Sequence, residues 1–248
     1  MGATVKKVFR LLIAGLYVDI IRENPILARD ISKYVRSDSD RPADIVIDID
    51  DEYIKKEIED ERRLGIEFDA LHSEYLAIYR CLCERMIDFD GFLMHASVLE
   101  KDGVAYAFTA PSGTGKSTHA RLWRENINGV RMVNDDKPII RIIDGIPHAC
   151  GTPWCGKHGL SENITIPLRG ICFLEQASEN KIVRRMPADE MHKFLSQIYR
   201  PIDKELLIKT LDLADMVLRD VPIWRMGCNM EPAAAEMSYS AMSEQANN

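Results

Sequence analysis

Short apolar runs broken by Gly, Asp and Asn alternate with stretches whose apolar residues recur every three or four positions. This alternation predicts an α/β chain. Residues 11–20 read as one strand and residues 43–49 as another, with a polar loop at Ser37-Asp38-Ser39-Asp40 before the second. Residues 50–63 are acidic and read as helix or loop, and the run from Glu57 to Glu61 is expected to be a solvated surface. Tyr75, Ile78, Leu82 and Met86 then make one apolar helical face. Residues 92–100 and 104–109 flank Asp102-Gly103, a two-residue hairpin signal. Residues 138–143 and 146–150 flank Asp144-Gly145 in the same way. Between these hairpins lie a helix-like run, 117–126, and a short strand, 130–133. Farther on, 164–173 and 222–226 read as strands, and 191–198, 204–218 and 232–242 as helices. The pattern divides the chain into an α+β segment (residues 1–88), a second unit (residues 89–242) and a polar tail (residues 243–248).

Chemistry concentrates in the second unit. Ala110-Pro111-Ser112-Gly113-Thr114-Gly115-Lys116-Ser117 fits the phosphate-binding loop G-x-x-x-x-G-K-[ST] at every defining position except the first, where Ala stands for Gly. A strand-like run leads in and a helix-like run leads out, as that loop requires. Gly113 and Gly115 permit backbone angles that aim successive N–H groups at one phosphate. With Ser112, Thr114 and Thr118 they form the expected nucleotide cradle at a helix N-terminus. Lys116 would reach the outer phosphates of ATP or another nucleoside triphosphate, and the Ser117 hydroxyl would join a Mg²⁺ shell.

Four further features bear on this loop. If Asp102-Gly103 is the turn, Lys101 faces Val104, Ser97 faces Phe108 and His95 lands beside Ala110. His95 then either contacts a terminal phosphate or a carboxylate that works on it, or is a structural histidine at a strand edge. Asn134-Asp135-Asp136 ends an apolar strand expected next to the loop's own strand. One Asp could serve the metal and the other act as base for an incoming hydroxyl; turn caps are the alternative. Alternation along the strand would turn the two side chains apart. In the glycine-rich stretch 151–159, Lys157 could hold a phosphate and Trp154 could wall an acceptor pocket, while Cys155 has no partnered base and receives no role. Arg200, expected at a helix end, either completes a phosphate shell or makes a surface salt bridge.

The overall balance narrows the partners. A net charge of −7 without clustered Lys and Arg argues against nucleic acid; Arg184-Arg185 is only a pair, expected on a solvated face. No C-x-x-C pair signals zinc, and several of the six cysteines lie within apolar runs, as reduced thiols of a cytoplasmic protein do. The basic start and apolar run at 11–18 are interrupted by Asp19 and lack a cleavage site, so secretion is not expected, and no run is long enough for a membrane span.

His95-Ala96-Ser97-Val98-Leu99, a short hairpin, Ser112-Gly113-Thr114-Gly115-Lys116-Ser117 and then Asn134-Asp135-Asp136 after one helix together resemble the catalytic domain of HPr kinase/phosphorylase. That family is similar in its core to phosphoenolpyruvate carboxykinase. The match covers roughly residues 89–145. The resemblance implies a P-loop core of mixed sheet with flanking helices, preceded here by the N-terminal α+β segment. It implies Mg²⁺- and ATP-dependent phosphorylation of a serine or other alcohol hydroxyl, with reversal by phosphorolysis as a variant. It also implies that His95, Asp135 and Asp136 serve the metal and proton transfer, with Asp135 the base and Asp136 on the metal side. The family's Arg-Gly-Leu-Gly signature has no clear counterpart; residues 152–157 occupy about that position. Residues 1–88 do not resemble the family's N-terminal domain either. The chain therefore looks more like the shorter HPr-kinase-like proteins, whose hydroxyl acceptors include peptides. A nucleotide-binding regulator without turnover is the alternative, and a homo-oligomer remains open.

Overall fold

The first apolar run folds back on itself. In the computed structural model, which describes residues 8–36, 40–63, 65, 68–156 and 158–244, Phe9–Ile13 (β1) and Leu16–Ile20 (β2) pair antiparallel where one strand was expected. The turn between them is Ala14-Gly15, with φ of 52° and 79°. Alanine in the left-handed region costs energy, so Ala-Gly is a weak turn signal beside Asp-Gly. The cost is offset by burial of Ala14 and by Arg141, whose Nη1 donates to the Ala14 carbonyl at 2.9 Å. Pro25–Asp30 (α1) follows, started by Asn24, whose side chain accepts from two backbone N–H groups. Ile45–Ile47 (β3) then pairs parallel with β2, completing a three-stranded sheet. The acidic stretch is helical, Asp51–Arg63 (α2), and is not solvated throughout: Glu57 is buried and ion-paired with Arg80 at 2.7 Å. Residues 37–39 of the expected polar loop lie outside the described residues.

Ala70–Ile87 (α3) presents Tyr75, Ile78, Leu82 and Met86 to the core, as their spacing predicts. That core joins the small sheet to Leu93, Ile139, Cys150 and Trp154. Trp154 is 1% exposed and packs beside Tyr75 and Tyr79, with ring centroids 6.1 and 5.2 Å away. It is a core residue and not the wall of an acceptor pocket.

The run 92–100 also divides. Gly91–Leu93 (β4) and Ala96–Lys101 (β5) join different neighbours, and the chain crosses between them at Met94-His95. The Asp102-Gly103 hairpin then pairs β5 with Val104–Thr109 (β6) in the expected register, Lys101 with Val104 and Ser97 with Phe108. The ladder ends at Ala96 and Thr109, and the Thr109 hydroxyl donates to the His95 carbonyl at 2.8 Å. After Lys116–Asn126 (α4) comes Arg131–Asn134 (β7). It pairs with β5 and not with β6, so one strand separates the loop's strand from the Asp-Asp strand.

Ile139–Ile143 (β8) and Ile146–Cys150 (β9) form the second Asp-Gly hairpin. Thr165–Gln176 (β10) pairs antiparallel with β9 near its start and parallel with β6 beyond it. Lys181–Arg185 (β11), which the pattern missed, pairs with Ile223–Cys228 (β12), and β12 runs parallel to β10. Arg185 is not simply solvated, because its Nε bonds the fully buried Glu190 at 3.0 Å. Pro187–Ser196 (α5), Lys204–Asp220 (α6) and Pro232–Ser243 (α7) complete a mixed nine-stranded sheet with helices, and Ser243 closes α7 where a polar tail was expected. All six cysteines are free thiols, and no described helix is long and apolar enough to cross a membrane.

The packing of α4 against α7 carries a titratable group. His119 is 2% exposed, lies against Phe108, and its Nε2 is 3.0 Å from Ser238 Oγ. Burial pulls its pKa down from 6.5 to about 4. The folded state therefore keeps His119 neutral while the unfolded chain takes up a proton below 6.5. Stability is full above that pH and is lost as pH falls towards 4, by about 3 kcal/mol in all. Urea unfolding between pH 7 and 4 should show this slope, and His119→Gln should flatten it.

Candidate functional site

Three parallel strands, β6, β10 and β12, bring their carboxyl ends to one edge of the sheet. In open α/β sheets this is where ligands bind. Residues 110–115 turn there from β6 into α4. Gly113 and Gly115 have φ of 80° and 120°, a region that side-chain-bearing residues rarely adopt. Gln176, at the end of β10, donates to the Thr114 carbonyl at 3.3 Å and steadies the turn. Lys116 is 7% exposed and its Nζ donates to the Ala110 carbonyl at 2.8 Å. Burial lowers its pKa, and the nearby Asp136 charge opposes that.

The acidic pair lies just past β7, not on it. Asn134 Oδ1 accepts from the N–H groups of Asp136 (2.9 Å) and Lys137 (2.7 Å), which closes a side-chain-capped turn. Asn134 Nδ2 donates to the carbonyls of Thr152 (3.1 Å) and Trp154 (3.2 Å), anchoring the 151–156 segment to the same turn. The turn, rather than strand alternation, sends the two carboxylates apart. Asp135 is 4% exposed, and its Oδ1 accepts from the Gly156 N–H at 2.6 Å. Burial holds its pKa above the usual carboxylate range; the Gly156 bond works against this and the Asp136 charge adds to it. Asp136 Oδ1 lies 3.2 Å from His95 Nε2 and its Oδ2 lies 3.4 Å from Lys137 Nζ. Burial alone would raise Asp136 too, but the His95 hydrogen bond and the Lys137 charge outweigh it and leave the group below its ordinary value.

His95 is held from behind. Its N–H donates to the Gln197 carbonyl at 2.7 Å, and its Nδ1 is 3.2 Å from Gln197 Oε1. Nε2 donates to Asp136 either in the doubly protonated ring, whose Nδ1–H donates to Gln197 Oε1, or in the Nε2–H tautomer with the Gln197 amide turned to donate to Nδ1. Gln197 carries no sequence signal. It follows α5, and only the return of residues 197–199 along β4 brings it here.

These groups line one open cleft of about 430 Å³: His95, Ser112, Lys116, Ser117, Asp135 and Asp136, with Gly113, Gly115, Thr118, Gly156 and His158. The site thus brings together most of the residues singled out from the sequence. Lys157 lies outside the described residues. Arg200 is exposed beyond the end of α5, makes no ion pair among the described residues and does not line the cleft. A second cleft, about 380 Å³, borders Thr114 and Thr118 on the side of Gln176, Ala177, Cys228 and Met230.

Gly151 is required by close approach. A Cβ there would stand 1.8 Å from the Glu162 carbonyl oxygen and 2.9 Å from that of Val133. Gly151→Ala must push apart the backbone that supports the Asp135 turn. We expect it to cost about 1–3 kcal/mol and to disorder the cleft, read as a lowered Tm together with faster amide exchange at residues 135–137.

Among the described residues no cluster of three His, Cys, Asp or Glu could hold a metal by protein ligands alone. Ser117 and Asp136 are hard oxygen donors at one cleft, which fits Mg²⁺ that keeps water and phosphate oxygens as its other ligands.

No family model matches the chain, and no curated protein is similar to it. Among solved structures it is similar to the Hpr(Ser) kinase/phosphatase from Coxiella burnetii, at 10% identity and a TM-score of 0.34, over 61% of this chain and 99% of that one. A likeness of that size carries no argument about this chain. Its function is read from the geometry of the cleft itself.

Proposed function

We propose that this chain is a phosphotransferase that moves the γ-phosphoryl group of a Mg²⁺-bound nucleoside triphosphate, such as ATP, to an alcohol hydroxyl. The observation that carries this reading is the split pair of carboxylates in the loop's own cleft. Both line it with Lys116 but are held differently, Asp135 by the Gly156 N–H and Asp136 by His95 and Lys137, and burial moves the pKa of the first up while those partners move that of the second down. Two acids driven apart in this way suit two roles.

The N–H groups of the loop and the N-terminus of α4 hold the phosphates, with Lys116 turned from the Ala110 carbonyl to the outer ones. The nucleoside takes the cleft beside Cys228 and Met230, which has apolar lining at the strand ends. Ser117 and Asp136 would hold Mg²⁺, which would supply charge neutralisation for the phosphates. His95, backed by Gln197, fixes Asp136 in place. Asp135 accepts the proton of the incoming hydroxyl. The hydroxyl oxygen bonds to the γ-phosphorus, and the bond to the bridging oxygen breaks, its electron pair leaving with the nucleoside diphosphate.

The test is to incubate the protein with γ-labelled ATP, Mg²⁺ and a panel of serine peptides and small alcohols. Label on an acceptor with matching ADP is the expected result. Nucleotide binding without transfer to any acceptor would favour a non-catalytic regulator, and label released from a phosphorylated acceptor by inorganic phosphate would show phosphorolysis. Asp136→Asn should raise the Mg²⁺ concentration needed for half-maximal binding of ATP, read by titration at fixed nucleotide.

A further inference from the structure

A third cleft meets the first at Asp135. It holds about 280 Å³ and shares Ser117, Thr118, Asp135 and His158 with the loop's cleft, but its far wall is Arg121 and Arg124 over a floor of Met132 and Leu160. The wall follows from helix geometry. Ser117, Arg121 and Arg124 stand at i, i+4 and i+7, so they share one exposed stripe of α4, while His119, Ala120 and Trp123 are buried. At about 1.5 Å per residue, the arginines begin one and two turns, roughly 6 and 10 Å, beyond Ser117.

From this arrangement we propose that the Arg121–Arg124 cleft is the acceptor subsite, and that the acceptor carries an anionic group, a carboxylate or a phosphate, close to the hydroxyl that is phosphorylated. The proposal rests on the phosphotransferase reading and deepens it. Three observations point the same way. First, an acceptor must reach the base, and among the described residues both this cleft and the phosphate cleft are lined by Asp135. The cleft at Cys228 and the one at Glu175 and Lys193 are not. Second, its arginines are available. Arg121 has only an exposed i,i+4 partner, Glu125 at 2.7 Å, a pair worth little and easily exchanged. Arg124 has no ion pair among the described residues. Third, the charge is out of keeping with the chain. On a protein of net charge −7, the described residues that line this cleft include two arginines and one carboxylate, Asp135, with Glu125 an exposed partner of Arg121 outside the lining. Guanidinium groups suit carboxylate and phosphate through paired hydrogen bonds. An extended peptide advances about 3.3 Å per residue, so an acid within about three residues of the serine falls in their reach.

The experiment compares kcat/KM for matched serine peptides with Asp or Asn at the neighbouring positions. A second arm compares glycerate with glycerol, so that a peptide source and a small-molecule source are told apart. Nucleotide affinity is measured in the same samples. We expect the acidic member of at least one pair to be preferred at least tenfold, and Arg121→Gln/Arg124→Gln to bring that ratio to within about twofold. The ratio is read within one enzyme, so a change in folding or nucleotide affinity cancels from it. An equal or reversed preference, or a preference unchanged in the double variant, overturns the proposal. So does the absence of both transfer to and binding of every acidic probe by protein that binds nucleotide, which leaves the nucleotide site standing. Failure to bind nucleotide at all overturns the phosphotransferase reading itself.

Discussion

Asp135→Asn should lower single-turnover phosphoryl transfer by about 10²–10⁴, the usual loss when a general base is removed, while nucleotide affinity stays within a few-fold. The carboxylate is nearly buried, accepts the Gly156 N–H, and sits where the phosphate cleft meets the arginine-walled one. Asparagine keeps the size and can still accept that hydrogen bond, so the 151–156 segment should hold and Tm should change little. What is lost is the capacity to take a proton. Rapid-quench transfer with bound labelled ATP, beside equilibrium nucleotide binding, separates the two effects. Full transfer by the variant would reduce Asp135 to a turn residue.

Lys116→Met should lower transfer by about 10²–10³, the scale of removing one preorganised donor from a developing charge, and should also weaken ATP binding. Methionine retains much of the apolar stem that burial accommodates and removes only the ammonium. The hydrogen bond to the Ala110 carbonyl goes with it. The Ala110 residue is nearly buried, so leaving its carbonyl without that donor costs about 1–3 kcal/mol and lowers the melting temperature while the fold is kept. Calorimetric melting and transfer assays on one preparation check both halves of this expectation.

Much of the second unit was legible because its turns are chemically explicit. Asp102-Gly103 and Asp144-Gly145 both adopt positive φ at both positions, and the register of β5 on β6 follows from the first. The loop at 110–117 declares itself by Gly, Lys and Ser at set spacing. Ala14-Gly15 was not legible, since alanine seldom accepts that conformation and only burial with Arg141 stabilises it. Nor was the split of β4 from β5, because a continuous apolar run does not say which neighbour each half will join. Long-range placement escaped for the same reason. Nothing near Gln197 marks it as the support of His95, and Trp154 looks like a pocket residue until α3 is packed over it. The acidic pair was read from its place at the end of an apolar strand one helix after the loop, but the separation of its side chains depends on Asn134 bonding both its own turn and residues 152–154.

The central claim is that the cleft at the end of β6 holds a Mg²⁺-bound nucleoside triphosphate through Lys116. Titration calorimetry of ATP into the protein, with and without Mg²⁺, tests it most directly. The account predicts one site per chain that requires Mg²⁺ for full affinity and is at least tenfold weaker in Lys116→Met. No heat of binding at millimolar ATP, or equal affinity in the two proteins, would contradict it.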